Sequence, residues 1–147
     1  MTQRKRMLFA EDNLNDAELT LSALAEHHLA NEAVLVRDGA EALDYLYRRG
    51  AYTLRTNDNP VLIFLDIKMP KVDGLGVLRQ IKQEEPFTLI PVVMMTSSRE
   101  ERDIVESYRL GVNAYVVKSV DFPQFTEAVK TLGLFWVVIN QPPPEKA

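Results

Sequence analysis

Five apolar runs, at 7–10, 33–36, 61–65, 91–95 and 114–117, alternate with longer stretches whose apolar residues recur at helical spacing. Short runs that are apolar throughout and bounded by turn residues read as strands buried on both faces. Strict alternation of such strands with helices predicts the α/β class: a doubly wound, five-stranded parallel sheet with five helices. The first helix is expected at about 16–29 and the second at about 40–50, with Leu43, Leu46 and Tyr47 on its inner face. The third carries Leu75, Val77, Leu78 and Ile81 and is ended by Pro86, and the fourth covers 99–110. The last is capped by Asp121 and presents Phe122, Phe125, Val129, Leu132 and Trp136 on one stripe. Residues 51–60, with their asparagines and Pro60, read as a surface loop.

Chemistry gathers at the ends of these runs. Glu11 and Asp12 follow the first, Asp66 the third, Thr96 the fourth and Lys118 the fifth. Open α/β sheets bind ligands outside the carboxyl ends of their strands, so all five side chains are expected at one edge. Three carboxylates in one pocket cannot all ionise comfortably unless a cation neutralises them, and hard oxygen ligands suit Mg2+. Threonine and lysine beside that metal suggest a phosphoryl group. Taken singly, each residue has a plainer role: a turn aspartate, a helix-start acidic pair, a helix cap, a solvated lysine. Five such types, in order, at strand ends carry the weight that none carries alone.

Composition excludes several classes of function. The 147 residues, 46% hydrophobic, fit one domain, expected at 1–139 and followed by a Pro-rich tail at 140–147. With no cysteine there is neither a disulfide frame nor a thiolate site. A net charge of −4 argues against nucleic acid as a partner, and the cluster Arg4, Lys5 and Arg6 is too small to reverse it. The N-terminus lacks the apolar core of a secretory signal. The longest apolar stretch, 132–139, is far short of the roughly 20 residues of a membrane span. A soluble, cytoplasmic protein is expected.

The segments FAED, FLDIKMPKVDG, VVMMTSS and AYVVK, in that order, resemble the response regulator receiver domain, the CheY-like variant of the flavodoxin-like fold, over about residues 5–138. The resemblance implies that Asp66 accepts a phosphoryl group from a phosphohistidine of a sensor histidine kinase. It implies that Glu11, Asp12, Asp66 and the backbone carbonyl of Lys68 hold Mg2+, and that Lys118 balances a phosphoryl oxygen. Thr96 and Tyr115 would form the switch, the tyrosine swinging inward once Thr96 moves. Such a chain is a signalling protein rather than an enzyme, assisting only its own phosphorylation and dephosphorylation.

Three departures stand out. Ser119 follows Lys118 where the family commonly has proline in a cis peptide; a cis bond without proline would cost about 2.5–4 kcal/mol. The acidic pair is Glu-Asp rather than Asp-Asp. Lys68 and Ser98 occupy two positions that tune the lifetime of the phosphorylated form in the family, and neither orients water strongly, so a slow loss of phosphate is expected.

The loop 51–60, the segment EDNLNDAEL and the apolar C-terminal stretch resemble, more narrowly, the single-domain regulators of cyanobacterial phytochromes. That likeness implies a light-sensing kinase as phosphodonor. No effector module is expected after the fifth helix, so output would come from contacts of the domain itself. The stretch 132–139 is apolar all round, so Phe135, Trp136, Val138 and Ile139 are expected to pair two copies through the C-terminal helix, the alternative being cover by the tail. Two other functions share part of this pattern. A Mg2+-dependent phosphohydrolase with an aspartate nucleophile usually carries a second aspartate two residues on, where Lys68 stands. A pseudo-receiver acting without phosphorylation usually lacks the acceptor, and Asp66 is present.

Overall fold

The computed structural model describes residues 5–26, 28–29, 32–118 and 122–143, without the side chain of Phe122. The strands are β1 (Met7–Ala10), β2 (Ala33–Val36), β3 (Leu62–Leu65), β4 (Val92–Thr96) and β5 (Ala114–Val117). They form one parallel sheet in the order β2-β1-β3-β4-β5. Between them run α1 (Leu14–Ala25), α2 (Gly39–Tyr47), α3 (Gly74–Ile81) and α4 (Glu101–Arg109), with α5 (Phe122–Gly133) last. The expected doubly wound α/β architecture is the one observed.

Strand periodicity sorts the core into two halves. Leu8, Ala10, Ile63, Leu65, Val92 and Met94 point to one face, where Leu43 and Leu46 of α2 and Val77, Leu78 and Ile81 of α3 cover them. Met7, Phe9, Leu62, Phe64, Val93 and Met95 point to the other, under Ala23 and Leu24 of α1 and Phe125 and Val129 of α5. Phe9 and Phe64 stack across neighbouring central strands with ring centroids 4.3 Å apart. Because β1, β3 and β4 are buried on both faces, they tolerate no polar residue until they emerge at the C-terminal edge. That edge is where the acids stand.

Among the described residues, three helices begin with side-chain caps: Asn13, Asp38 and Asp73 accept the N–H groups of Asp16, Glu41 and Gly76. Helix ends differ from the sequence expectation. α1 stops at Ala25 rather than near 29, where Leu29 N–H returns to Leu24 O and His28 takes φ 59°. α2 stops at Tyr47 because Arg48 turns left-handed at φ 57°. The span 51–60 opens with a 3-10 turn, Gly50–Tyr52, and is organised by Arg55. Its guanidinium donates to the carbonyls of Tyr45, Leu46, Asn57 and Asp58 and lies 4.3 Å from the centroid of the Tyr45 ring.

The largest correction concerns the C-terminal helix. The chain widens at Leu134–Ile139 into a π-helical segment, and Asn140 N–H donates to Phe135 O, five residues back, at 2.7 Å. In the wider turn Val137 is the buried member of the inner face, while Trp136 stays against the core half-buried. The expected cap Asp121 lies outside the described residues. Gly133 holds α5 close to α1, since a Cβ there would meet Leu24 Cδ2 at 3.0 Å.

Candidate functional site

Asp66 leaves β3 as its backbone N–H bonds Ala10 O, and Glu11 leaves β1 as its own N–H bonds Val36 O. Ladder bonds running past the strand ends thus fix both carboxyl-bearing residues at one height. On the far side of Asp66, Gly74 N–H donates to Ile67 O at 2.8 Å, drawing the start of α3 against the loop. A Cβ on Gly74 would collide with the Asp66 carbonyl oxygen, so the close approach requires glycine.

Lys118, one residue beyond β5, projects its ammonium into this edge. Nζ donates to Asp66 Oδ2 at 2.8 Å, to Asp16 Oδ2 at 2.9 Å and to Glu11 Oε1. Glu11 Oε2 accepts Asn13 N–H at 3.2 Å, and Asp66 Oδ1 accepts Lys68 N–H at 3.3 Å. Glu11 and Asp66 are buried, whereas Asp12 and Lys68 are exposed.

Burial pushes the Glu11 carboxyl up to about 7; the hydrogen bond and charge of Lys118 pull against that rise, and nearby Asp66 adds to it. Burial would lower the Lys118 ammonium, but its bonds to Asp66 and Glu11 outweigh this and raise it above the ordinary lysine value. Lysine is therefore charged at any physiological pH, whereas Glu11 sits poised between its two forms.

Glu11, Asp12 and Asp66 each offer a carboxylate oxygen, all within 4.8 Å of one another. An all-oxygen donor set with one exposed member, open to water ligands, fits a hard divalent cation. Three carboxylates beside a single ammonium leave excess negative charge, which such an ion would relieve. The arrangement can present a carboxylate nucleophile, a divalent cation and an ammonium to one phosphoryl group.

The remaining predicted residues lie around this centre. Thr96 ends β4 and is wholly buried, its hydroxyl accepting Ser98 N–H at 3.3 Å. Tyr115 on β5 reaches over the same loop and donates its hydroxyl to Ser98 O at 3.1 Å. Ser98 is buried too and donates its hydroxyl to Asp103 Oδ2 of α4 at 2.6 Å. One short loop therefore ties Thr96, Tyr115 and α4 together. The Lys118–Ser119 peptide lies outside the described residues. Phe135, Val138 and Ile139 are exposed and remote from the acidic edge, and Trp136 packs on the core beneath α5.

Sequence reasoning missed Asp16. It sits among the helix-start residues Asn13 to Asp16, where a capping role suffices to explain an acid. The available signal was its place in the first turn of a helix that follows directly on the acidic pair Glu11 and Asp12.

The model of the response regulator receiver domain family matches residues 7–130. The chain belongs to that family. Response regulator Rcp1 of Synechocystis sp. is 36% identical over 133 residues, covering 90% of this chain and 89% of its own. Among solved structures, the phosphorylated cyanobacterial phytochrome response regulator RcpA superposes with a TM-score of 0.87 at 40% identity, covering 96% of this chain and 99% of that one. The bacteriophytochrome response regulator RtBRR is more similar in sequence, 55% identical, with a TM-score of 0.77 and coverage of 97% and 86%. A structure of Rcp1 is of its Mn2+-bound form, with a TM-score of 0.86 at 35% identity over 95% of this chain and 99% of that one. This receiver domain thus has the fold of response regulators, one of them solved with a divalent metal. Among its described residues no helix is long and apolar enough to cross a membrane.

Proposed function

We propose that this receiver domain accepts a phosphoryl group on Asp66 from the phosphohistidine of a sensor histidine kinase and signals through the resulting change of shape. The observation that carries the reading is the meeting of the Asp66 carboxylate with the Lys118 ammonium at 2.8 Å inside the cluster Glu11, Asp12 and Asp66.

In the reaction a carboxylate oxygen of Asp66 attacks phosphorus. The P–N bond breaks, its electron pair stays on the imidazole nitrogen, and an aspartyl phosphate forms. Glu11, Asp12, Asp66 and the Lys68 carbonyl would hold Mg2+, which when bound supplies positive charge beside the transferring oxygens. Lys118 releases Asp66 and turns its ammonium to a phosphoryl oxygen, so the nucleophile is freed as the new charge is neutralised. The Thr96 hydroxyl, whose oxygen accepts Ser98 N–H, is drawn to another phosphoryl oxygen. Its departure loosens the Ser98 loop, to which Tyr115 and Asp103 are bonded, and so shifts Tyr115 and α4.

The donor is a phytochrome-type kinase, a reading supported by the phytochrome and bacteriophytochrome regulators among the similar proteins. The protein acts in the cytoplasm, where such kinases present their phosphohistidine. Two copies pair through the C-terminal segment, where Phe135, Val138 and Ile139 are 43%, 60% and 69% exposed. Sedimentation at high micromolar concentration should give a dimer, and a monomer there would sink that part of the proposal. With the Ser98 hydroxyl held by Asp103 and Lys68 exposed, neither side chain orients a hydrolytic water strongly, so the acyl phosphate outlasts seconds.

The test is incubation with acetyl phosphate and Mg2+, comparing wild type with Asp66→Ala by intact mass. One added phosphoryl group, lost in the variant, is the expected result. No gain in the wild type would overturn the reading in favour of a module that binds partners unphosphorylated.

A further inference from the structure

Lys118 has three ammonium protons, and three carboxylates accept them: Glu11, Asp66 and Asp16. Two of these belong to the cluster able to hold a cation, and Asp16 does not. When Asp66 carries a phosphoryl group it is no longer a free carboxylate, and when Glu11 faces a cation its charge is shared elsewhere. Asp16 is then the one acceptor of the three whose charge and position do not change during the reaction.

Asp16 is also built to stay in place. Its N–H donates to Asn13 Oδ1 at 3.1 Å, and its carbonyl accepts the Thr20 hydroxyl at 2.8 Å. Both bonds pin the backbone of the first turn of α1, and with it the Cα from which the carboxylate projects. The side chain is 24% exposed and its partner Lys118 11%, so the pair is only partly screened by water. Lysine has a flexible four-carbon stem, and an ammonium that loses two acceptors at once would be free to leave the site.

We propose that Asp16 is a positioning residue for phosphoryl transfer, holding Lys118 Nζ at the acidic edge while its bonds to Asp66 and Glu11 are exchanged for a phosphoryl oxygen. It acts through Lys118 and touches no reacting atom. The inference rests on the phosphoryl-transfer reading above.

The experiment measures the rate of phosphorylation by acetyl phosphate at saturating Mg2+ in wild type, Asp16→Asn, Asp16→Glu, Lys118→Met and the double variant Asp16→Asn/Lys118→Met. Loss of one charge-assisted bond to the ammonium should slow Asp16→Asn on the order of tenfold. Asp16→Glu, which keeps the charge, should recover most of that loss. In the Lys118→Met background the Asp16→Asn change should have no further effect on rate, because the group it positions is gone. An Asp16→Asn rate equal to wild type overturns the inference, as does an equal slowing in both backgrounds, which would mark a merely structural role. Either result leaves phosphorylation of the wild type intact. A wild type that takes up no phosphoryl group would instead overturn the functional reading and this inference with it.

Discussion

Replacing Lys118 by methionine should cost about 3–5 kcal/mol of stability at pH 8 in the absence of divalent metal, and about 1–2 kcal/mol less at pH 5.5. At 2.8 Å and an effective dielectric constant of about 20, the attraction between Lys118 and Asp66 alone is about 6 kcal/mol. Removing the ammonium also removes the cost of burying it, so the net loss is that of breaking a buried ion pair, about 3–5 kcal/mol. Glu11 decides the pH dependence. Its folded pKa, about 7, lies above the ordinary value of 4.5, so between those values the folded state binds more protons than the unfolded one. Stability then falls as pH rises through that window, by at most about 1.4 kcal/mol per pH unit for one group. Without Lys118 only the Asn13 N–H bond opposes burial and the Asp66 charge, so the Glu11 pKa climbs further and the fall continues to higher pH. Urea unfolding of wild type and variant in EDTA at pH 5.5 and 8 measures both effects. A loss below 1 kcal/mol at pH 8, or one equal at the two pH values, would refute the reasoning.

Three other outcomes are expected. Because a proton on Glu11 competes with a cation, the apparent Kd for Mg2+ should rise about tenfold from pH 8 to pH 6, and Glu11→Gln should abolish the dependence; isothermal titration checks both. Gly74→Ala should destabilise by about 1–3 kcal/mol and slow phosphorylation, since the added methyl group must displace the backbone of Asp66; denaturation and intact mass read the two effects. Arg55→Lys should cost about 1–3 kcal/mol in urea unfolding, because a lysine cannot reproduce the planar fork that reaches four carbonyls and the Tyr45 ring.

The sequence alone determined the sheet, its parallel strands and the edge on which Glu11, Asp12, Asp66, Thr96 and Lys118 would stand. Those features follow from local periodicity: a run buried on both faces can carry polar chemistry only where it ends. Tertiary structure decided what the charges do to one another. Asp16 reads locally as part of a helix start, and only the fold carries Lys118, 102 residues away in the chain, to within 2.9 Å of it. The Glu11 pKa likewise comes from burial between strands that are distant in sequence. The C-terminal helix shows the same limit in the core: a 3.6-residue period placed Trp136 on the inner stripe, where it packs half-buried, but only the π-turn at Leu134–Ile139 brings Val137 deeper than it. Arg55 in the loop 51–60 met its carbonyl partners only because α2 ends at Arg48 and turns the chain back upon itself. Hydrophobic period is a property of neighbours along the chain, whereas electrostatic coupling and packing depend on distances in space that the chain order does not contain.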